Sequence, residues 1–143
     1  WDRPIIPVPT VDALAYNLQY TNSLICPIMD ARRNQVYTGI YENRTGVQQT
    51  RMEQNAMAIE DLIAKLNEMG EPVIFLGDGV PVNKDIVDTN ITVPHFYAPA
   101  HLNRQRAAAV AMYYKEGKTV SADEHAPDYL RLSQAERERL NRD

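Results

Sequence analysis

Residues 24–41 read Leu-Ile-Cys-Pro-Ile-Met-Asp-Ala-Arg-Arg-Asn-Gln-Val-Tyr-Thr-Gly-Ile-Tyr, and this stretch decides the fold. The apolar run from Leu24 to Met29 closes on Asp30 and reads as a strand buried on both faces. Ala31-Arg32-Arg33-Asn34 is too short and polar for anything but a turn. Residues 35–42 then alternate as a returning strand, with Tyr37 and Tyr41 on one face and Met29 opposite them. The opening feature is therefore a hairpin.

Outward from the hairpin, Val47 to Glu53 reads as a polar third strand, suited to a sheet edge. A helix follows over about 58–69, with Leu62, Ile63 and Leu66 inward and Gly70 at its end. Val73-Ile74-Phe75-Leu76 is a short central strand. A weak helix near 82–88, a strand over 91–96 and a helix over about 103–116 complete the pattern. On that last helix Ala107, Val110, Ala111 and Tyr114 share a face. Upstream, Pro4 to Pro9 is extended, and Thr10 caps a helix reaching about Tyr20. The succession is βββαβαβα, an α/β mixed sheet with flanking helices. That order is the topology of the ribonuclease-H-like fold, which actin-like ATPases use twice per molecule. One domain is expected over residues 1–143: a lead-in and helix (1–23), a core (24–117) and a charged tail (118–143).

The 143 residues suffice for one core, burying about 70% of the unfolded surface. No run of 18 apolar residues is present, so no transmembrane helix is expected. The opening Trp-Asp-Arg-Pro, with neither Met nor an apolar signal core, reads as a chain that begins in mid-protein. A net charge of −4 argues against a broad basic surface for nucleic acid, so any RNA role would pass through a partner or a small local patch. Cys26, the single cysteine, excludes a disulfide framework and reads as a buried thiol.

Few residues could carry chemistry. Gly77-Asp78-Gly79 lies where a strand exits into a helix, where backbone amides can approach a phosphate. The plainer reading is a tight turn with Asp78 capping the next helix. Asp30, Asp78 and either Glu60 or Asp61 occupy approximately the positions of two-metal nuclease acids. Against that, Asp30 closes its strand, while Glu60 and Asp61 suit a helix's first turn electrostatically. Arg32 and Arg33 at the hairpin tip are candidates for contact with RNA or an acidic partner. His95, His101 and His125 are scattered, Asp123-Glu124-His125 reads as a solvated loop, and Ser23, Ser121 and Ser133 lack a nucleophile's setting.

Two motifs add a resemblance. Pro27-Ile28-Met29-Asp30-Ala31-Arg32 with Gln35-Val36-Tyr37 resembles the strand-Asp-Ala-Arg signature of the TsaB (YeaZ) family. Gly117-Lys118-Thr119-Val120, Ala126-Pro127-Asp128-Tyr129-Leu130-Arg131 and Gln134-Ala135-Glu136-Arg137 resemble its closing segment. Ile5, Pro7 and Val8 with Val11-Asp12-Ala13-Leu14-Ala15 resemble its inter-lobe segment. The resemblance implies a cytoplasmic, two-lobed, actin-like protein, related to the glycoprotease-like TsaD. Such proteins serve as non-catalytic partners of TsaD, together with the ATPase TsaE, in making threonylcarbamoyladenosine in tRNA. It also implies no cofactor and no catalytic residue in this lobe, and an N-terminal lobe, lacking here, that carries the main dimer surface. A homodimer is a further partner expectation, and tRNA would be met indirectly. The alternatives are a metal-dependent phosphodiesterase, a nucleotide-binding lobe at Gly77–Gly79, and a glycoprotease-like peptidase relative.

Overall fold

The computed structural model describes residues 3–113, 119–123, 125–126 and 130. After a short helix α1 (Thr10–Ala15) come β1 (Leu24–Asp30), β2 (Gln35–Glu42) and β3 (Gln49–Ala58). Each strand runs antiparallel to the one before, with Met29 opposite Tyr37 and Val36 opposite Met57. The hairpin expected over 24–41 is present.

β4 (Val73–Leu76) and β5 (His95–Tyr97) add in parallel on the far side of β1, giving the order β3-β2-β1-β4-β5. Parallel neighbours require crossovers, which α2 (Ile59–Met69) and α3 (Val80–Asn90) supply. A 3₁₀ turn (Ala100–Leu102) leads into α4 (Ala107–Tyr113).

The alternation of β1 explains its continuous hydrophobicity. Leu24, Cys26 and Ile28 join Val36, Leu62, Leu66 and Phe75 in one core cluster. Ile25 joins Val11, Leu14, Tyr41 and Leu76 in a second, with Met29 and Tyr37 packed against it. Both faces of the central strand are thus dry, as the sequence pattern required.

Several boundaries differ from expectation. α1 ends at Ala15 instead of near Tyr20, because Asn17 turns its amide to the carbonyls of Leu102 and Arg104, at 2.9 Å each. Thr10 is the first helical residue and not the cap; Pro9 precedes it, and its carbonyl accepts the Ala13 N–H at 3.0 Å. β3 runs to Ala58, five residues beyond the expected end. Its register against β2 shifts on either side of Ile40, so two-residue periodicity is lost.

The helix expected over 82–88 is longer and the strand over 91–96 shorter. α4 begins later than expected, after a loop stapled to the sheet, and buries Ala109 instead of Ala107, Val110 and Ala111. Tyr114 and residues 115–116 lie outside the described residues, as does most of the charged tail. Within the described part of that tail, Val120 exchanges two backbone hydrogen bonds with Ile5, of 3.0 and 2.9 Å.

Candidate functional site

The parallel strands β1 and β4 both end at one rim of the sheet, where ligands commonly sit in α/β folds. Gly77, Asp78 and Gly79 leave β4 there and pass directly over the end of β1. Gly77 has φ +114°, and a Cβ on it would lie 2.2 Å from the Ile28 carbonyl oxygen. A Cβ on Gly79 would lie 2.8 Å from the same oxygen. The two glycines are therefore demanded by contact with β1.

Their amides are already engaged. Gly79 N–H donates to Ile28 O at 3.0 Å, Val80 N–H to Gly77 O at 3.2 Å and Gly77 N–H to Asn103 Oδ1 at 3.3 Å. Asn83 closes the turn from below, its amide donating to Gly79 O at 2.8 Å. Asp78 does not cap α3, whose first turn carries no side-chain cap; its Oδ1 instead accepts the Asp30 N–H at 3.4 Å. The turn is held by its own backbone bonds.

The hairpin tip beside it is unusual. Arg32, Arg33 and Asn34 take φ values of 62°, 56° and 58° in succession, a left-handed run costing about 1–2 kcal/mol per residue. Asp30 Oδ1 helps stabilise it by accepting the Arg32 N–H at 2.8 Å. Ala31 N–H to Gln35 O, 2.9 Å, and Ile59 N–H to Asn34 O, 3.0 Å, tie both ends. The exposed Arg32 and Arg33 thus stand on a fixed loop.

Of the acids considered for a nuclease, Asp30 and Asp78 are neighbours, linked by the Asp30 N–H on Asp78 Oδ1. Asp30 closes β1, and Glu60 and Asp61 sit in the first turn of α2, as the sequence indicated. Among the described residues no three His, Cys, Asp or Glu side chains are grouped to hold a metal ion. His101 and His125 are exposed, and Ser133 and Glu124 lie outside the described residues. Cys26 is wholly buried, 3.6 Å from Thr38 Oγ1, and burial pushes its thiol up to about 12. Such a thiol is inert.

Two polar constellations were not anticipated. Asp12, only 8% exposed, accepts hydrogen bonds from Tyr41 at 2.5 Å and Tyr113 at 2.9 Å. The signal was a lone carboxylate within the otherwise apolar Val11–Ala15. Asp88 is met by Lys84, by Tyr97 OH at 2.6 Å and by His95 Nε2 at 3.0 Å. Those donors, Lys84 foremost, hold its carboxyl well below the usual carboxylate range. Lys84 also lies 4.7 Å from the Tyr97 ring centre. Lys84 and Asp88 have the i,i+4 spacing of a helical ion pair, but His95 and Tyr97 join them only through the turn from α3 into β5, the next element.

The sequence matches the family described as TsaD, tRNA N6-adenosine threonylcarbamoyltransferase, over residues 1–139. The chain belongs to this family. A similar curated relative, 36% identical over 136 residues, is the tRNA threonylcarbamoyladenosine biosynthesis protein TsaB of Bacillus subtilis. The match covers 94% of this chain and 59% of that protein, so the chain spans about three-fifths of the relative's length. The family description and the relative carry different names, a transferase and a biosynthesis protein. The identity to TsaB over nearly the whole chain places the chain on the TsaB side of the family.

Two solved structures from Pseudomonas aeruginosa share the fold. One is YeaZ, with a TM-score of 0.65 at 19% identity, covering 90% of this chain and 59% of that one. The other is an uncharacterized protein with similarity to peptidase YeaZ, with a TM-score of 0.63 at 21% identity, covering 90% and 60%. The strand order and these likenesses give the ribonuclease-H-like, actin-like fold expected from the sequence. At these identities the word peptidase in one description carries no activity over to this chain.

Proposed function

We propose that this chain works as an accessory, non-catalytic part of the machinery that makes threonylcarbamoyladenosine in tRNA, acting through contacts with a TsaD-type transferase. The observation that carries the reading is the 36% identity to TsaB across 94% of the chain. The local geometry agrees with it. The turn amides at Gly77, Gly79 and Val80 are used within the fold, Asp30 and Asp78 brace the hairpin tip against the turn, and Glu60 and Asp61 stand in the first turn of α2.

In this reading the chain is the C-terminal lobe of a two-lobed cytoplasmic protein, without a cofactor of its own. Its partners are the transferase, a TsaE-like ATPase and a second copy of itself. Among the described residues no helix is long and apolar enough to cross a membrane, and assembly with such partners needs none.

The full-length protein mixed with the transferase and the ATPase, followed by size-exclusion chromatography with light scattering, tests this directly. A co-eluting complex of summed mass is expected. Separate elution of all three at micromolar concentration would contradict it.

A further inference from the structure

Charge on this chain is unevenly placed. Arg44 and Arg51, at the opposite end of the sheet, are locked in a ring with Glu42 and Glu71 at 2.8 to 3.6 Å. At the rim carrying the Gly77–Gly79 turn, Arg32, Arg33, Arg104 and Arg106 are all exposed. Among the described residues none of these four guanidinium groups has an ion-pair partner.

The fold brings the two pairs together. Asn17 holds the carbonyls of Leu102 and Arg104, and Asn103 takes the amide of Gly77. Gln105 Nε2 reaches Met29 Sδ at 3.8 Å, three residues before Arg32. Residues 102–106 are thereby laid across the ends of β1 and β4. Acids also stand at this end: Asp78 is exposed within the turn itself, its Oδ1 accepting the Asp30 N–H at 3.4 Å. Asp30 follows Leu24, Cys26 and Ile28 in alternation toward α2 and α3, and Glu60 and Asp61 begin α2. Asp30 Oδ1 is further engaged by the Arg32 amide. Met29 and Gln105 lie on the face of β1 opposite Asp30, where Arg104 and Arg106 flank the contact.

We infer that Arg32, Arg33, Arg104 and Arg106 form a phosphate-binding rim that takes the sugar-phosphate backbone of an RNA strand. Guanidinium groups pair with phosphate oxygens in a fixed fork, which lysines do not. Four of them along one rim fit an extended polyanion better than a single carboxylate. Arg32 and Arg33 stand on a preset left-handed loop and residues 102–106 are stapled, so little backbone order is lost on binding. A net charge of −4 permits RNA contact only through such a local patch. The identity of the RNA as tRNA rests on the function proposed above.

The test measures binding of the full-length protein to unmodified, fluorescein-labelled tRNA by anisotropy over a salt series. Wild type should bind saturably, with log K falling against log salt by about 0.7–0.9 per phosphate contacted. R104Q/R106Q and R32Q/R33Q should each weaken binding roughly 10-fold or more at low salt and cut the slope by about 2, near 1 per arginine. R44Q/R51Q removes equal charge from the ion-paired ring and should leave affinity within about 2-fold, after thermal unfolding confirms that each variant is folded. No saturable binding by wild type, or equal weakening by all three pairs, overturns the rim. So does unchanged tRNA binding with loss of the transferase complex, which would assign the arginines to an acidic protein face. Failure of the function itself reads out separately, as tRNA modification that persists without the protein.

Discussion

Tyr41 on β2 donates its hydroxyl to the Asp12 carboxylate on α1 at 2.5 Å, across 29 residues of sequence. With Tyr113 of α4 on the second oxygen at 2.9 Å, one buried carboxylate joins the sheet to both helices on that face. α1 has only six residues, too few to be stable without such tertiary contacts.

Tyr41→Phe removes one of the two donors while keeping the ring. A loss of about 1–3 kcal/mol is expected from leaving a buried charged acceptor short of a partner. Urea unfolding followed by circular dichroism measures it. Asp12→Ala should cost more than Tyr41→Phe, because both hydrogen bonds to the carboxylate are then lost.

Alkaline pH should destabilise the fold through Cys26. Burial raises its thiol from 9.0 to about 12, so the folded state retains a proton that the unfolded chain releases. A raised folded value means that the stabilisation is complete below pH 9 and is lost as pH rises toward 12, by about 1.4 kcal/mol per unit. Tyr41, raised by burial and by Asp12, acts in the same direction above its ordinary value of about 10. Cys26→Ala should flatten the decline between pH 9 and 10, whatever its cost at neutral pH.

Acid should act through Asp88, whose carboxyl is depressed by Lys84, Tyr97 and His95. A depressed folded value means that the stabilisation is present above the unfolded value of about 3.9 and fades as pH falls below it. Asp88→Asn should therefore weaken the dependence of unfolding on pH below about 4. The group is exposed, so the effect should also shrink in high salt.

The sequence made the hairpin and sheet order legible because β1 and β4 are buried on both faces and the Asp30-to-Asn34 turn is unambiguous. Tyr37 and Tyr41 were placed correctly on one face, opposite Met29, because alternation survives through β2. β3 was read too short, since register shifts break its alternation and its edge position leaves it polar. The Asp78 role failed because the partner it chose, the Asp30 amide, lies 48 residues away. Arg104 and Arg106 had no local signal at all. Only the folding of residues 102–106 over the end of β1 brings them to the same rim as Arg32 and Arg33.

Gly77 and Gly70 offer a contrast in what a methyl group costs. Gly70 ends α2 with φ +69° and open space around it, so Gly70→Ala should cost only about 1–2 kcal/mol. Gly77→Ala adds a clash with the Ile28 carbonyl to an unfavourable φ and should exceed that clearly. Equal midpoints for the two variants in thermal unfolding would show that the turn can relax away from β1.

The account stands most directly on tRNA itself. The gene encoding the full-length protein should be depleted and tRNA nucleosides quantified by mass spectrometry. Threonylcarbamoyladenosine should fall in step with depletion and return on re-expression, including re-expression with Asp30→Asn, since no residue of this chain is assigned to the chemistry. Threonylcarbamoyladenosine that persists at its normal level after depletion would contradict the account.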